Sequence, residues 1–187
     1  MKKHKMTKRL ILALGIIGLS VTGVRADSVN EKEITYADPT IYVENGKYYL
    51  TGTRNQEPQG FAILESTDLE HWTVPDGKDL QLILRKGDQA FGEKGFWAPQ
   101  YFKDKRTYYF TYTANEQTVI ASSKSVFGPF RQKEVKPIDA SAKNIDSFLF
   151  KDDDGKYYLY HVRFNKGNYL WVAEFDIKKG SIKPETL

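Results

Sequence analysis

Three segments of the chain share one pattern of apolar and polar positions, and this pattern predicts three β-hairpins. They lie near residues 38–53, 97–112 and 146–160, and each has an apolar run, a short polar turn and a second run that opens with two tyrosines. Asn45–Gly46 and Asp154–Gly155 supply residues that tolerate positive φ in tight hairpin turns. Sustained helical periodicity is missing beyond the N-terminal region, so the pattern favours strands.

A third strand is predicted after each hairpin, followed by a more polar outer strand. The third strands fall at residues 61–66, 118–123 and 169–174, and the outer strands near Trp72, Phe130 and Ile182. Four antiparallel strands that recur every ~40–60 residues are typical of β-propeller blades. We therefore predict an all-β fold with about three four-stranded blades, and an ordinary meander or sandwich is the alternative.

The first 26 residues follow a different pattern. Basic residues precede an apolar stretch over residues 10–21, and Val24-Arg25-Ala26 places small residues around a cleavage site. This stretch is shorter than the ~20 residues that span a bilayer. It predicts a signal peptide over residues 1–26, a domain over residues 27–187 without a membrane span, and an exported protein in the bacterial periplasm or outside the cell.

Charge and composition argue against two classes of function, nucleic-acid binding and metal binding through thiolates. The chain has 28 basic and 24 acidic residues, and the six basic residues of residues 1–26 belong to the predicted signal. The rest has 22 basic against 24 acidic side chains, which gives no support to nucleic-acid binding. The absence of cysteine excludes thiolate metal sites and disulfides.

No metal ion or other cofactor is predicted. The run Asp152–Asp154 is too short for the spaced ligands of an EF-hand loop and is better interpreted as a solvated hairpin turn. His71 and His161 each lack a second candidate ligand nearby in the sequence.

The repeat places candidate chemistry at one end of the sheets. Asp38, Trp97 and Asp146 are each predicted to begin the first strand of a blade, and first strands line the central axis of a propeller. Two carboxylates and an indole in one pocket suit a sugar substrate. Taken singly, however, an Asp before Pro often starts a turn, and a Trp is more often part of the core. The second strands end at the same rim, and we predict substrate binding there by Trp97, Arg54, Asn115, His161 and Arg163.

Several of these segments resemble glycoside hydrolase family 43. They are residues 36–41, 96–99, 145–150 and 153–156, with the spacers 66–72 and 121–130. The resemblance covers roughly residues 34–187 and implies a five-bladed β-propeller with an inverting mechanism. It also implies a substrate containing arabinose, xylose or galactose. By motif, Asp38 resembles the general base, and Asp146 resembles the aspartate that orients the general acid and keeps its pKa raised.

The chain departs from the family pattern in three places. Ser147 stands where the family often has proline, and Gln100 stands where an acidic residue often follows Trp-Ala-Pro. The family's general acid is a glutamate in a later Glu-Gly-Pro motif, and no glutamate here is followed by Gly-Pro. We therefore expect residues 27–187 to be an incomplete propeller that lacks the acid and is inactive by itself.

Alternatives stay open at this point. The parent enzyme could be an α-L-arabinofuranosidase, a β-xylosidase or an arabinanase, with exo or endo action. A non-catalytic carbohydrate-binding propeller is a second class. A retaining hydrolase of fructans is a third, but its nucleophile is usually preceded by asparagine, whereas Ala37 precedes Asp38.

Overall fold

A computed structural model describes residues 34–187 of the chain. The predicted signal peptide, residues 1–26, lies outside the described residues. Within residues 34–187 the helical structure consists of two short 3-10 turns, Pro75–Gly77 and Pro184–Thr186. No helix in this range is long and apolar enough to cross a membrane.

Residues 34–187 contain twelve β-strands, which form three propeller blades and one small additional sheet. Blade 1 has the order β1-β2-β4, blade 2 has β6-β7-β8, and blade 3 has β9-β10-β11-β12, all antiparallel. The strands are β1 (Ala37–Glu44), β2 (Lys47–Thr53), β3 (Gly60–Ala62), β4 (Leu64–Ser66), β5 (Leu82–Arg85), β6 (Trp97–Asp104), β7 (Thr107–Ala114), β8 (Gln117–Ser123), β9 (Asn144–Lys151), β10 (Tyr157–Phe164), β11 (Asn168–Asp176) and β12 (Ser181–Ile182).

The prediction of an all-β fold with about three blades is confirmed, but only blade 3 has the full fourth strand, β12. In blades 1 and 2 the predicted outer strand is reduced to one bridge, Glu65 with Thr73 and Ser122 with Arg131. The hairpin between β1 and β2 turns at Asn45 and Gly46, whose φ angles of 52° and 73° are those of the expected tight turn.

The segment predicted as a single third strand in blade 1 is divided between two sheets. Only β4 joins blade 1, whereas β3 pairs with β5 in a two-stranded sheet. The division depends on Gly60, which has a φ of 138° and lies so close to β5 that an added Cβ would meet the Leu84 carbonyl oxygen at 2.1 Å. Glycine is therefore required where these two backbones approach.

The apolar core lies between successive blades. Blades 1 and 2 enclose an aromatic cluster in which Phe61, Phe110 and Tyr101 meet edge to face at 5.0–5.1 Å, the geometry that aromatic rings prefer. A second cluster around Leu149 and Leu159 lies between blades 2 and 3. These contacts hold neighbouring blades against each other.

Candidate active site

The first strand of each blade carries a bulge near its start, and the bulge places the two predicted aspartates. Ala37 pairs with Thr53 and Thr40 pairs with Thr51, so two residues of β1 oppose one residue of β2. Near the starts of β6 and β9, two residues likewise oppose one residue of the paired strand. In each bulge one residue has a positive φ: Asp38 at 47°, Ala98 at 43° and Asp146 at 55°.

The register corrects one expectation from the sequence. Ala98, and not Trp97, occupies the position in blade 2 that Asp38 and Asp146 occupy in blades 1 and 3. Trp97 is instead equivalent to Ala37, which pairs with Thr53 just as Trp97 pairs with Thr113. The prediction that Trp97 is equivalent to the aspartates was therefore wrong by one residue, because the bulge becomes visible only when the strands are paired.

Two threonines at the ends of the second strands connect the bulges of neighbouring blades. Thr53 Oγ1 donates a hydrogen bond to Asp38 Oδ2 at 2.8 Å and accepts one from the backbone N–H of Ala98 at 2.9 Å. Thr113 Oγ1 accepts the backbone N–H of Asp146 at 3.0 Å. These three hydrogen bonds join the bulge of blade 1 to that of blade 2, and the end of the second strand of blade 2 to the bulge of blade 3.

The carboxylate of Asp38 lies close enough to Asp146 to affect the ionisation of Asp146. Partial burial and then the negative charge of Asp38 raise the pKa of the Asp146 carboxyl above its usual range. A like charge nearby disfavours the ionised form. The charge of Asp38 thus acts on Asp146, although the two are separated by more than a hundred residues in the sequence.

Trp97 presents a partly open aromatic surface at the start of β6. The residue is 38% exposed, and its indole lies against Gly95. An added Cβ on Gly95 would sit 3.1 Å from Trp97 Cζ2. The glycine therefore leaves the space that the indole needs, and the exposed ring can stack on a sugar.

Arg54 and Asn115 are engaged in contacts that fix loops. Arg54 is buried, and its Nη1 donates to the carbonyl oxygen of Pro58 at 2.6 Å. Asn115 lies in the turn between β7 and β8 and accepts the N–H groups of Glu93 and Lys94 at 3.0 and 3.1 Å. Their predicted contact with substrate stays a prediction.

His161 and Arg163 lie side by side on the face of β10 that points toward blade 2. His161 is fully buried, and burial lowers the pKa of its imidazole. Arg163 Nη2 lies 3.4 Å from Asp139 Oδ2 and donates to Ser141 Oγ at 2.9 Å, while its guanidinium stacks 5.2 Å above the Trp171 ring. Arg163 thus binds the segment that precedes β9, and the role of His161 and Arg163 as substrate ligands stays a prediction.

Gln100, which the sequence marks only as a departure from the family pattern, joins blades 2 and 3. Its Nε2 donates to the Leu149 carbonyl oxygen at 3.1 Å, and its Oε1 accepts the Leu149 N–H at 2.8 Å. Sequence reasoning also missed the function of Thr53 and Thr113. Their signal is positional, because Thr53 follows Asp38 by 15 residues and Thr113 follows Ala98 by the same interval.

We searched the described part of the chain for side chains that could bind a metal ion. Among residues 34–187, no group of three or more His, Asp or Glu side chains is placed to hold a metal ion.

Comparison with known proteins gives the site its context. The model of glycosyl hydrolases family 43 matches residues 32–187. The extracellular endo-alpha-(1->5)-L-arabinanase 1 of Bacillus subtilis is 28% identical over 202 residues, covering 98% of this chain and 61% of the relative. A xylosidase/arabinosidase of Butyrivibrio fibrisolvens is 29% identical over 77% of this chain and 29% of its own length. The crystal structure of an endo-1,4-beta-xylanase from Bacteroides thetaiotaomicron VPI-5482 superposes with a TM-score of 0.73 at 40% identity.

The chain belongs to glycoside hydrolase family 43, a family of five-bladed β-propellers, and contributes about three blades. This confirms the family resemblance and the fold class. The superposition covers 81% of this chain and 50% of the Bacteroides structure. The chain therefore spans about half the length of the proteins it matches.

Proposed function

We propose that this chain supplies two of the three active-site carboxylates of an inverting glycosidase that acts on glycans containing arabinose or xylose. The observation that carries the proposal is the placement of Asp38 and Asp146 on equivalent bulges of blades 1 and 3, within electrostatic reach of each other. Family membership supports the reaction class. The relatives named arabinanase, xylosidase/arabinosidase and xylanase support the substrate class.

Asp38 is proposed as the general base. Thr53 binds its Oδ2 and thereby fixes the orientation of the carboxylate, so that Oδ1 can accept the proton of a water molecule that attacks the anomeric carbon. In an inverting reaction the base and the acid stand ~6.5–9.5 Å apart, which leaves room for that water. The attack breaks the glycosidic bond, and the leaving oxygen takes a proton from the acid.

Asp146 is proposed to keep the general acid protonated. A carboxylate close to a second carboxyl raises the pKa of its neighbour, because two negative charges are unfavourable at short distance. The acid is proposed to be a glutamate supplied from outside residues 34–187. On this proposal residues 27–187 form an incomplete propeller domain that binds sugar at the rim but does not hydrolyse it.

Trp97 is proposed to bind the sugar ring. Its exposed indole lies one residue before the bulge of blade 2, between the blades that carry the two aspartates. We also infer export of the protein. The signal-like pattern of residues 1–26 supports this inference, as does the name of the extracellular Bacillus subtilis relative.

Hydrolysis of 4-nitrophenyl α-L-arabinofuranoside and β-D-xyloside tests the proposal. The chain is assayed by itself and after mixing with the half of the Bacteroides xylanase that it does not cover. We expect no turnover by the chain alone. In the assembled propeller, Asp38→Asn should lower kcat by about 10²–10⁴-fold, while Asp153→Asn, on an exposed turn, should have no effect. Turnover that survives Asp38→Asn would exclude Asp38 as the base.

A further inference from the structure

The turn that joins β7 to β8 lies between the segments that lead to Trp97 and to Asp146. It consists of Asn115 and Glu116, whose φ angles are 51° and 56°. Positive φ at both central residues is the geometry of a two-residue hairpin turn, and asparagine tolerates this geometry better than most residues. The turn therefore holds its polar groups in fixed places, from which they reach both segments.

On one side of the turn, Asn115 binds the loop that precedes β6. Its Oδ1 accepts the backbone N–H groups of Glu93 and Lys94 at 3.0 and 3.1 Å. Its own backbone N–H donates to the Lys94 carbonyl oxygen at 2.9 Å. Three hydrogen bonds from one residue thus hold two consecutive residues of the loop.

This loop carries the surface against which the indole of Trp97 lies. Gly95 follows Lys94 directly, and an added Cβ on Gly95 would lie 3.1–3.2 Å from three atoms of the Trp97 ring. The backbone of Trp97 belongs to β6 and pairs with Thr113. The strand therefore fixes where the side chain begins, whereas the loop fixes where the ring lies.

On its other side, the turn binds the start of the strand that carries Asp146. The backbone N–H of Asn144 donates to the Glu116 carbonyl oxygen at 3.0 Å. Asn144 Oδ1 accepts the backbone N–H of Thr118 at 2.8 Å. Asn144 is fully buried and lies two residues before Asp146. One turn thus holds the loop under the indole and the strand of the carboxylate.

We propose that Asn115 is a positioning residue, which holds the indole of Trp97 in place for a pentose ring beside Asp146. This inference rests on the proposed function of Trp97 in sugar binding. Asn115 acts through the loop and not by touching the sugar. An amide oxygen has two lone pairs, and two N–H groups already occupy Oδ1, so it has no capacity left for a sugar hydroxyl.

Two substitutions separate positioning from direct contact. Asn115→Gly keeps the positive φ, which glycine adopts readily, but removes the Oδ1 acceptor. Asn115→Asp keeps an oxygen that accepts both loop N–H groups but removes the amide N–H donors that could bind a sugar. Lys105→Gly is the matched control, because Lys105 is exposed, has a φ of 53° and lies in the turn between β6 and β7.

The position of the ring is measured first without sugar, in the full chain. The indole N–H resonance of Trp97, identified with Trp97→Phe, should shift in Asn115→Gly and keep its place in Asn115→Asp. Hydrogen exchange of the Glu93 and Lys94 amides should become about tenfold faster in Asn115→Gly, because both groups lose their acceptor. Lys105→Gly should leave the resonance and the exchange rates unchanged. An unshifted resonance in Asn115→Gly, or an equal shift in Lys105→Gly, would overturn the proposal.

Titration calorimetry with xylotriose then tests the consequence for binding. Asn115→Gly should weaken binding about tenfold, because the sugar must then order a mobile ring. Asn115→Asp should bind like the unchanged chain, whereas its failure to bind would identify Asn115 as a direct ligand and overturn the proposal. If Trp97→Ala binds xylotriose as well as the unchanged chain does, the proposed function of Trp97 fails, and the indole resonance still decides whether Asn115 positions the ring.

Discussion

Thr53 Oγ1 donates to Asp38 Oδ2 at 2.8 Å, and the same oxygen accepts the backbone N–H of Ala98 at 2.9 Å. One buried hydroxyl thus links a carboxylate of blade 1 to the bulge of blade 2. Substitution of this residue would leave two polar groups without a partner, and unsatisfied polar groups in a buried setting are costly.

Thr53→Val should reduce the free energy of unfolding by about 1–3 kcal/mol, because the Ala98 N–H loses its acceptor and Asp38 loses a donor. Urea denaturation checks this value. Thr51→Val is the matched control. Thr51 Oγ1 is buried without a hydrogen-bond partner among the described residues, so its removal should be neutral or stabilising. Equal losses for the two variants would show that the Thr53 contacts contribute nothing specific.

Asp38→Asn should lower the pKa of Asp146, because a like charge that disfavours its ionisation is removed. The pKa should stay above its usual range, since partial burial is the larger cause. Carboxyl carbon chemical shifts followed by NMR against pH measure both values. Asp153→Asn, on the distant turn, should leave the Asp146 titration where it is. An unchanged titration in Asp38→Asn would mean that the carboxylates do not share a site.

The raised pKa of Asp146 also predicts how stability depends on pH. Between its ordinary value of 3.8 and its higher folded value, the folded chain holds more protons than the unfolded chain. Stability from this group is therefore complete at lower pH and is lost as pH rises through the folded pKa. Thermal unfolding of Asp146→Asn across pH 3–7 should lack this decline and be more stable at neutral pH. A steeper decline in the variant would contradict the sign.

Gly95→Ala should disturb the indole of Trp97. The residue has a φ of 66°, and an added Cβ would lie 3.1 Å from Trp97 Cζ2. Gly87 offers the matched control, because it has a similar φ of 84° and nothing within 4 Å of an added Cβ. Both substitutions should cost about 1 kcal/mol through backbone strain. Only Gly95→Ala should change tryptophan fluorescence and weaken binding of xylo- or arabino-oligosaccharides. Identical behaviour of the two would argue against a role for the glycine beneath the ring.

Local chemistry made the hairpins and the strand starts predictable. Asn45 and Gly46 adopt the positive φ angles that their types favour, and the repeated tyrosine pairs mark the second strands. The same repeat predicts equivalent positions for Asp38 and Asp146, because turn geometry and the alternation of side chains act over only a few residues.

The tertiary structure decided what depends on pairing between distant segments. The bulges that make Ala98 the counterpart of the aspartates, and the division of the blade 1 third strand into β3 and β4, appear only when strands are in register. Thr53 reaches Ala98 across 45 residues and Glu44 reaches Tyr108 across 64. No local pattern encodes such contacts, since each is fixed by how two blades pack around their shared core.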